Sequence, residues 1–260
     1  RVASARGCGG RCAIMRVHYR PSPRIAAMSF TVTDADAAIL SRMSTRAFTP
    51  EPVSHDTISS ILSDALQASG LTAPPLWRVD MLQGASLHQL CDKVCAAHDA
   101  VRANPGLRSE YREPYDYYPE HWASPYLDRR RENGWGLYGL LGIGKTDKDK
   151  MHAQHQRNYR FFDAPVGLFL TLERPLCGEA LVHVGRYMQS LMLQARRQGL
   201  HTCPQAAWNM FWPIIMPHLG LADDKALVCA MALGHADTAA PVNTYYTPRL
   251  EVAEFSHWCA

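Results

Sequence analysis

Apolar residues recur at helical spacing in several stretches of the chain and alternate, or run together, in a few others. Ala38, Ile39, Leu40 and Met43 stripe a helix predicted over 34–43, and Thr49-Pro50-Glu51-Pro52 then breaks the chain. Ile58, Ile61, Leu62, Ala65 and Leu66 predict a helix over 55–68. Ser54 suits its N-cap, where a hydroxyl accepts from a free N–H, and Asp56 sits where a carboxylate offsets the helix dipole. Ala73-Pro74-Pro75 closes that region, and residues 77–82 alternate as a half-buried strand does. Residues 86–102 read as a helix, and 129–143 and 147–160 as two more, split by Gly142 and Gly144. The cleanest helix covers 180–198. Leu181, Val184, Met188, Leu191, Met192 and Ala195 share one face, and Gly199 stands at the C-terminal cap. Continuous apolar runs at 165–172 and 228–233 predict buried strands. Residues 104–128, rich in Tyr, Pro and Trp, lack a period. They read as a surface loop or as a lid whose aromatic rings stack on a planar substrate. The tail from Pro241 is extended and aromatic. Few strands separated by helices predict an α+β or α/β domain.

Charge changes that picture at one end only. The formal net charge is +3, but residues 1–27 hold six arginines and no acid, which leaves 21 basic and 24 acidic residues in the remainder, a net of −3. The body therefore gives no support to nucleic-acid binding. Residues 1–27 read as a poorly ordered basic leader ahead of one domain over 28–260. An organellar transit peptide, upstream sequence before a start at Met28, and a basic arm remain open for it. No apolar run approaches the roughly 20 residues a membrane helix needs. Eight cysteines without two-plus-two zinc spacing predict free thiols in a reduced, cytoplasmic protein with no metal.

Taken alone, the chemistry-bearing residues are weak signals. Arg42 and Arg46, four apart, would share a helix face with Ser44 nearby, a donor set suited to a phosphate or to a solvated surface. Asn158 offers both a donor and an acceptor to a heterocycle edge. Cys203 has no neighbour in sequence that would lower its pKa, so it reads as a packed thiol. Arg129-Arg130-Arg131 is either a helix start with a solvated basic face or an attractor for anionic substrates.

Three segments taken together say more. Arg42-Met43-Ser44-Thr45-Arg46-Ala47-Phe48, then Arg157-Asn158-Tyr159-Arg160-Phe161-Phe162-Asp163-Ala164-Pro165-Val166, then Gly199-Leu200-His201-Thr202-Cys203-Pro204-Gln205 resemble, in order and spacing, the FMN-dependent nitroreductase family. The resemblance covers about 37–255 and, through the Tyr/Pro/Trp region and Trp135-Gly136-Leu137-Tyr138-Gly139, is nearest the nitrobenzoate and nitroaromatic reductases. It implies an α+β nitroreductase fold, a mainly antiparallel central sheet flanked by helices, built as an intertwined homodimer. FMN would lie at the interface and NADPH or NADH would be the electron donor. The implied reaction is ping-pong reduction of nitroaromatics or quinones, with no catalytic side chain because the flavin carries the chemistry. The implied cofactor contacts are Arg42, Ser44, Arg46 and Arg249 at the FMN phosphate and ribityl chain, and Asn158 at the pyrimidine edge. Pro204, Gln205 and Ala206 follow in the late loop near N5, with Ser69 and Gly70 coming from the partner subunit. One stretch departs from the family pattern: Ala68-Ser69-Gly70-Leu71-Thr72-Ala73-Pro74-Pro75-Leu76-Trp77 keeps Ser69, Gly70 and Trp77 but lacks the usual Asn and Gln. Two alternatives stay open: another flavin reaction on the same scaffold (dehalogenation, flavin destruction, azoline oxidation), and, from that departure, a non-catalytic flavin-binding or interaction protein.

Overall fold

The structure, a computed structural model, describes residues 32–69, 75–176 and 178–259. The basic leader, Gly70 and the departure at 71–74 lie outside the described residues. Eight α-helices and four strands are formed among the described residues: α1 (Val32–Ser41), α2 (His55–Ser69), β1 (Trp77–Gln83), α3 (Gly84–Ala103), α4 (Tyr126–Leu140), α5 (Lys148–Gln156), β2 (Val166–Glu173), α6 (Glu179–Arg197), β3 (His201–Gln205), α7 (Trp212–His218), β4 (Lys225–Gly234) and α8 (Val252–Phe255). The strands make one sheet in the order β1-β2-β4-β3, every neighbouring pair antiparallel.

The two apolar runs read from the sequence are the two central strands, β2 and β4. They are apolar throughout because helices cover both faces of the sheet. Leu168, Leu170 and Leu172 join Ile58, Ile61, Val184 and Leu191 on the α2/α6 side. Phe169 joins Leu90, Val94, Phe161, Trp208 and Phe211 on the α3/α7 side. Gly167 permits the close approach on that second face: a Cβ there would lie 2.8 Å from Leu87 and Phe161. The caps behave as predicted. Ser54 Oγ accepts from Thr57 N at 3.1 Å, and Gly199 leaves α6 at φ +76°, a conformation glycine adopts without a Cβ penalty.

Two expectations are corrected. The helix predicted over 34–43 ends at Ser41, so Arg42 and Arg46 do not share a helix face. The segment that follows is extended because it pairs with the sheet edge: Ser44 bridges Thr202, Phe48 bridges Ala236, and Thr45 N donates to Thr202 O at 3.1 Å. The helix predicted over 147–160 stops at Gln156. It passes into a 3-10 stretch, Arg157–Asp163, in which Phe161, Phe162 and Asp163 take left-handed φ of 50°, 55° and 70°.

Candidate active site

The extended segment after α1 carries its side chains into a hollow of about 680 Å³, where Arg42, Ser44 and Arg46 meet Arg249 from the C-terminal tail and Gln189 from α6. Three guanidinium groups and a hydroxyl face one space from positions as far apart in sequence as 42 and 249. The backbone is pinned in place for this. Asn243 Oδ1 accepts from Arg46 N at 2.7 Å, and Asn243 Nδ2 donates to Ala47 O and to Asp237 O, both at 2.8 Å. Arg46 Nη1 donates to its neighbour Ser44 O at 3.2 Å. Sequence reading missed Asn243, which lies in the short 3-10 turn Pro241–Thr244 and has no periodic or motif context.

A second hollow, about 640 Å³, opens beside the first. Met188 and Gln189 are consecutive on α6, and each lines one of the two. Pro204 and Ala206, at the end of β3, stand in this second hollow opposite Tyr117, Tyr118 and Met188. The Tyr-rich stretch lies over the sheet: Tyr115 donates its hydroxyl to Val228 O at 3.2 Å, and Tyr117 and Tyr118 meet edge-on with centroids 4.6 Å apart. Arg130 lies 4.8 Å from the ring centroids of both Tyr118 and Trp122, and all three consecutive arginines are exposed, so the solvated basic face carries one cation–aromatic contact.

Asn158 and Gln205 are brought together. Asn158 O accepts from Gln205 Nε2 at 2.8 Å and from Trp208 Nε1 at 2.9 Å, and Asn158 Nδ2 donates to His155 O at 2.9 Å. Gln205 Oε1 is buried with no partner, an acceptor that lacks a donor. The left-handed turn after Asn158 costs about 1–2 kcal/mol per residue. Packing holds it: Phe161 stacks on Trp208 with centroids 4.4 Å apart, and Phe48 N donates to Phe162 O at 3.1 Å. Ser69, by contrast, is not drawn into either hollow. It is buried at the end of α2, and its hydroxyl donates to Leu66 O at 2.7 Å.

Electrostatics separate the thiol from the chemistry. Burial pushes the Cys203 thiol up to about 11, against the opposing pull of Arg46, Ser44 and Arg42. A thiol held protonated beside three cationic or donor groups is packing, as the sequence suggested.

The donor set fits FMN: in the trough made by the two hollows, three arginines and a hydroxyl line the first, where a phosphate dianion would be met, while Asn158 and Gln205 line neither hollow and leave one buried acceptor unmet. The comparisons agree. The model of the family described as "Nitroreductase family" matches residues 39–235. A nitrobenzene nitroreductase of Ectopseudomonas oleovorans is 34% identical over 222 residues, 85% of this chain and 95% of that protein. A 4-nitrobenzoate reductase of Pseudomonas putida is 34% identical over 231 residues, 89% of this chain and 98% of that one. Among solved structures, the FMN and NADPH-dependent nitroreductase NfnB from sphigopyxis sp. strain HMH is 35% identical with a TM-score of 0.79, covering 87% of this chain and 99% of that one. With the fold, the arginine-lined trough and these matches in agreement, the chain belongs to the nitroreductase family.

Proposed function

We propose that this chain is an FMN-dependent NAD(P)H nitroreductase whose substrates are nitroaromatics of the nitrobenzoate type. The observation that carries the reading is the convergence of Arg42, Ser44, Arg46 and Arg249 on one hollow, in a chain 34% identical to a 4-nitrobenzoate reductase along nearly its whole length. NADPH as donor follows the NADPH dependence of the 35% identical NfnB.

When bound, FMN supplies the two-electron redox centre that passes hydride equivalents from the nicotinamide to the nitro group. The chain does the rest. Arg42, Arg46 and Arg249 neutralise the phosphate, and Ser44 donates a hydrogen bond to it. Asn158 would meet the flavin's pyrimidine edge, and Pro204, Gln205 and Ala206 of the late loop would border its ring system, the last two through backbone groups. Tyr117, Tyr118 and Met188 line the second hollow and offer it aromatic rings and a thioether, surfaces suited to a flat ring. Donor and nitroaromatic would occupy the same hollow in turn, a ping-pong order, with solvent supplying the protons. Two copies of the chain form a homodimer, with Gly70 of each completing the other's flavin site, while Ser69 stays inside its own chain as the buried end of α2.

A visible spectrum tests this first. The purified protein should be yellow, bleach under anaerobic NADPH and recover its colour on addition of 4-nitrobenzoate. A colourless protein that takes up no added FMN would sink the proposal. Bound flavin that NADPH reduces but no nitroaromatic reoxidises would move the substrate elsewhere on the scaffold.

A further inference from the structure

Away from the trough, α3 and α5 bring four ligand-bearing side chains together. His98 and Asp99 are consecutive on α3; His152 and His155 are one turn apart on α5. The His98 and His152 rings stack with centroids 4.2 Å apart and planes 3° from parallel. His152 Nε2 lies 2.7 Å from Asp99 Oδ1, and His155 Nδ1 lies 3.3 Å from His98 Nε2. One ligand atom from each of His98, Asp99 and His152 lies within 4.8 Å of the other two. Two further observations set the cluster apart from a chance meeting of polar groups. His98 Nδ1 is buried with no hydrogen-bond partner, a state that costs free energy and asks for a reason. Gln156 Nε2 donates to Asp99 Oδ1 at 2.9 Å, which orients the carboxylate as an outer partner orients a metal ligand. A hollow of about 370 Å³, lined by His98, His152, His155, Tyr159 and Phe211, opens on the cluster and leaves room for water.

We infer that His98, His152 and Asp99, with His155 as a further donor, bind one divalent first-row transition ion such as Zn²⁺, Ni²⁺ or Cu²⁺. Imidazole nitrogens with a single carboxylate suit these ions, whereas Mg²⁺ and Ca²⁺ take oxygen sets. The donors must close to about 3.3 Å apart to sit roughly 2.1 Å from one ion. Rotation of the Asp99 side chain, 60% exposed, allows this, while His152, 16% exposed, is already held against His98 by stacking. Of the two arginines lining that hollow, Arg102 and Arg108, the first is paired with Asp149 on α5. The ion would clamp α3 to α5, the helix whose His155 carbonyl holds Asn158. Cysteine spacing gives no hint of such a site, since its ligands are imidazoles and a carboxylate more than 50 residues apart.

Calorimetric titration of the EDTA-treated protein with ZnCl₂ and NiCl₂ tests the inference. The expected result is one ion per chain in the micromolar range, weakened ~10-fold or more in His152→Gln and in Asp99→Asn, and unaltered in His88→Gln, an exposed histidine earlier on α3. Circular dichroism checks that each variant folds. Independently of any variant, the electron paramagnetic spectrum of the Cu²⁺-loaded wild type should carry splitting from at least two imidazole nitrogens. Millimolar or absent binding, affinity unchanged in both ligand variants, or a copper signal without nitrogen coupling would each overturn it.

Discussion

Arg46 serves its site twice. Its backbone N–H is anchored on Asn243 and its guanidinium reaches the shared hollow. A charge-assisted hydrogen bond is worth about 1.5–3 kcal/mol. Arg46→Ala should therefore weaken FMN binding by roughly 10- to 100-fold, read as flavin released on dilution and gel filtration. Arg46→Lys should recover only part of it, since a point charge replaces a planar fork. Cys203 makes the opposite case. Buried, and with its pKa pushed up to about 11, it holds no useful thiolate at neutral pH. Cys203→Ser should retain nitroreductase turnover to within about threefold, and peptide mass spectrometry after iodoacetamide should find Cys203 unmodified while the exposed Cys259 is labelled. A Cys203 that alkylates readily in the native protein would count against this placement. At this scale the sequence was informative for the arginines, because guanidinium chemistry is legible in any backbone. It was silent on Asn243, whose role is fixed only by where the tail returns.

At the scale of elements, β2, β4, α2, α3 and α6 were legible because burial imposes their periods. β3 was not. His201-Thr202-Cys203-Pro204-Gln205 does not alternate and contains a proline, which ordinarily speaks against a central strand. It is tolerated because β3 is the last strand in the order β1-β2-β4-β3 and an edge strand need not donate on its outer side. The left-handed turn at 161–163 was equally hidden, since no glycine marks it and tertiary packing imposes it. β3 begins with a titratable joint. Arg196 Nη1 lies 2.8 Å from His201 Nε2, which must therefore accept, leaving Nδ1–H to face Thr45 Oγ1 at 3.4 Å. Burial above all, then the charges of Arg196 and His235, pull His201 down to about 4 from an ordinary 6.5. The folded state thus keeps this ring neutral while the unfolded chain protonates below pH 6.5. The stabilisation is complete above that pH and declines as pH falls toward 4. The loss attributable to His201 should be on the order of 1–3 kcal/mol. Urea midpoints at pH 7.5 and pH 5 measure it. His98, also lowered to about 4, acts in the same sense, so His201→Gln should reduce the acid sensitivity without abolishing it. An identical pH slope in that variant would show the joint to be irrelevant.

At the scale of the whole molecule, the hydrophobic pattern identifies apolar faces but does not say which chain covers them. Ile39 and Leu40 belong to the stripe that predicts α1, yet Leu40 is 83% exposed in the single chain. Val182 on α6 and Val252, Phe255 and Trp258 in the tail are exposed as well. Exposed apolar residues spread over a first helix, a long central helix and a tail ask for a partner surface, and the proposed homodimer supplies one. The tail then has two separable parts, since Arg249 lines the arginine-rich hollow while Val252 and Phe255 lie apolar and exposed beyond it. Arg249→Ala should weaken FMN binding by about 10-fold and leave the sedimentation coefficient unchanged. Val252→Asp with Phe255→Asp should shift the protein toward monomer on dilution, and flavin should leave in parallel, because in the proposed homodimer a flavin site shared with the second chain fails when that chain departs. Sedimentation velocity recorded at flavin and protein wavelengths reads both quantities at once. Monomers that keep their full complement of flavin would refute the shared site while leaving the phosphate contacts intact.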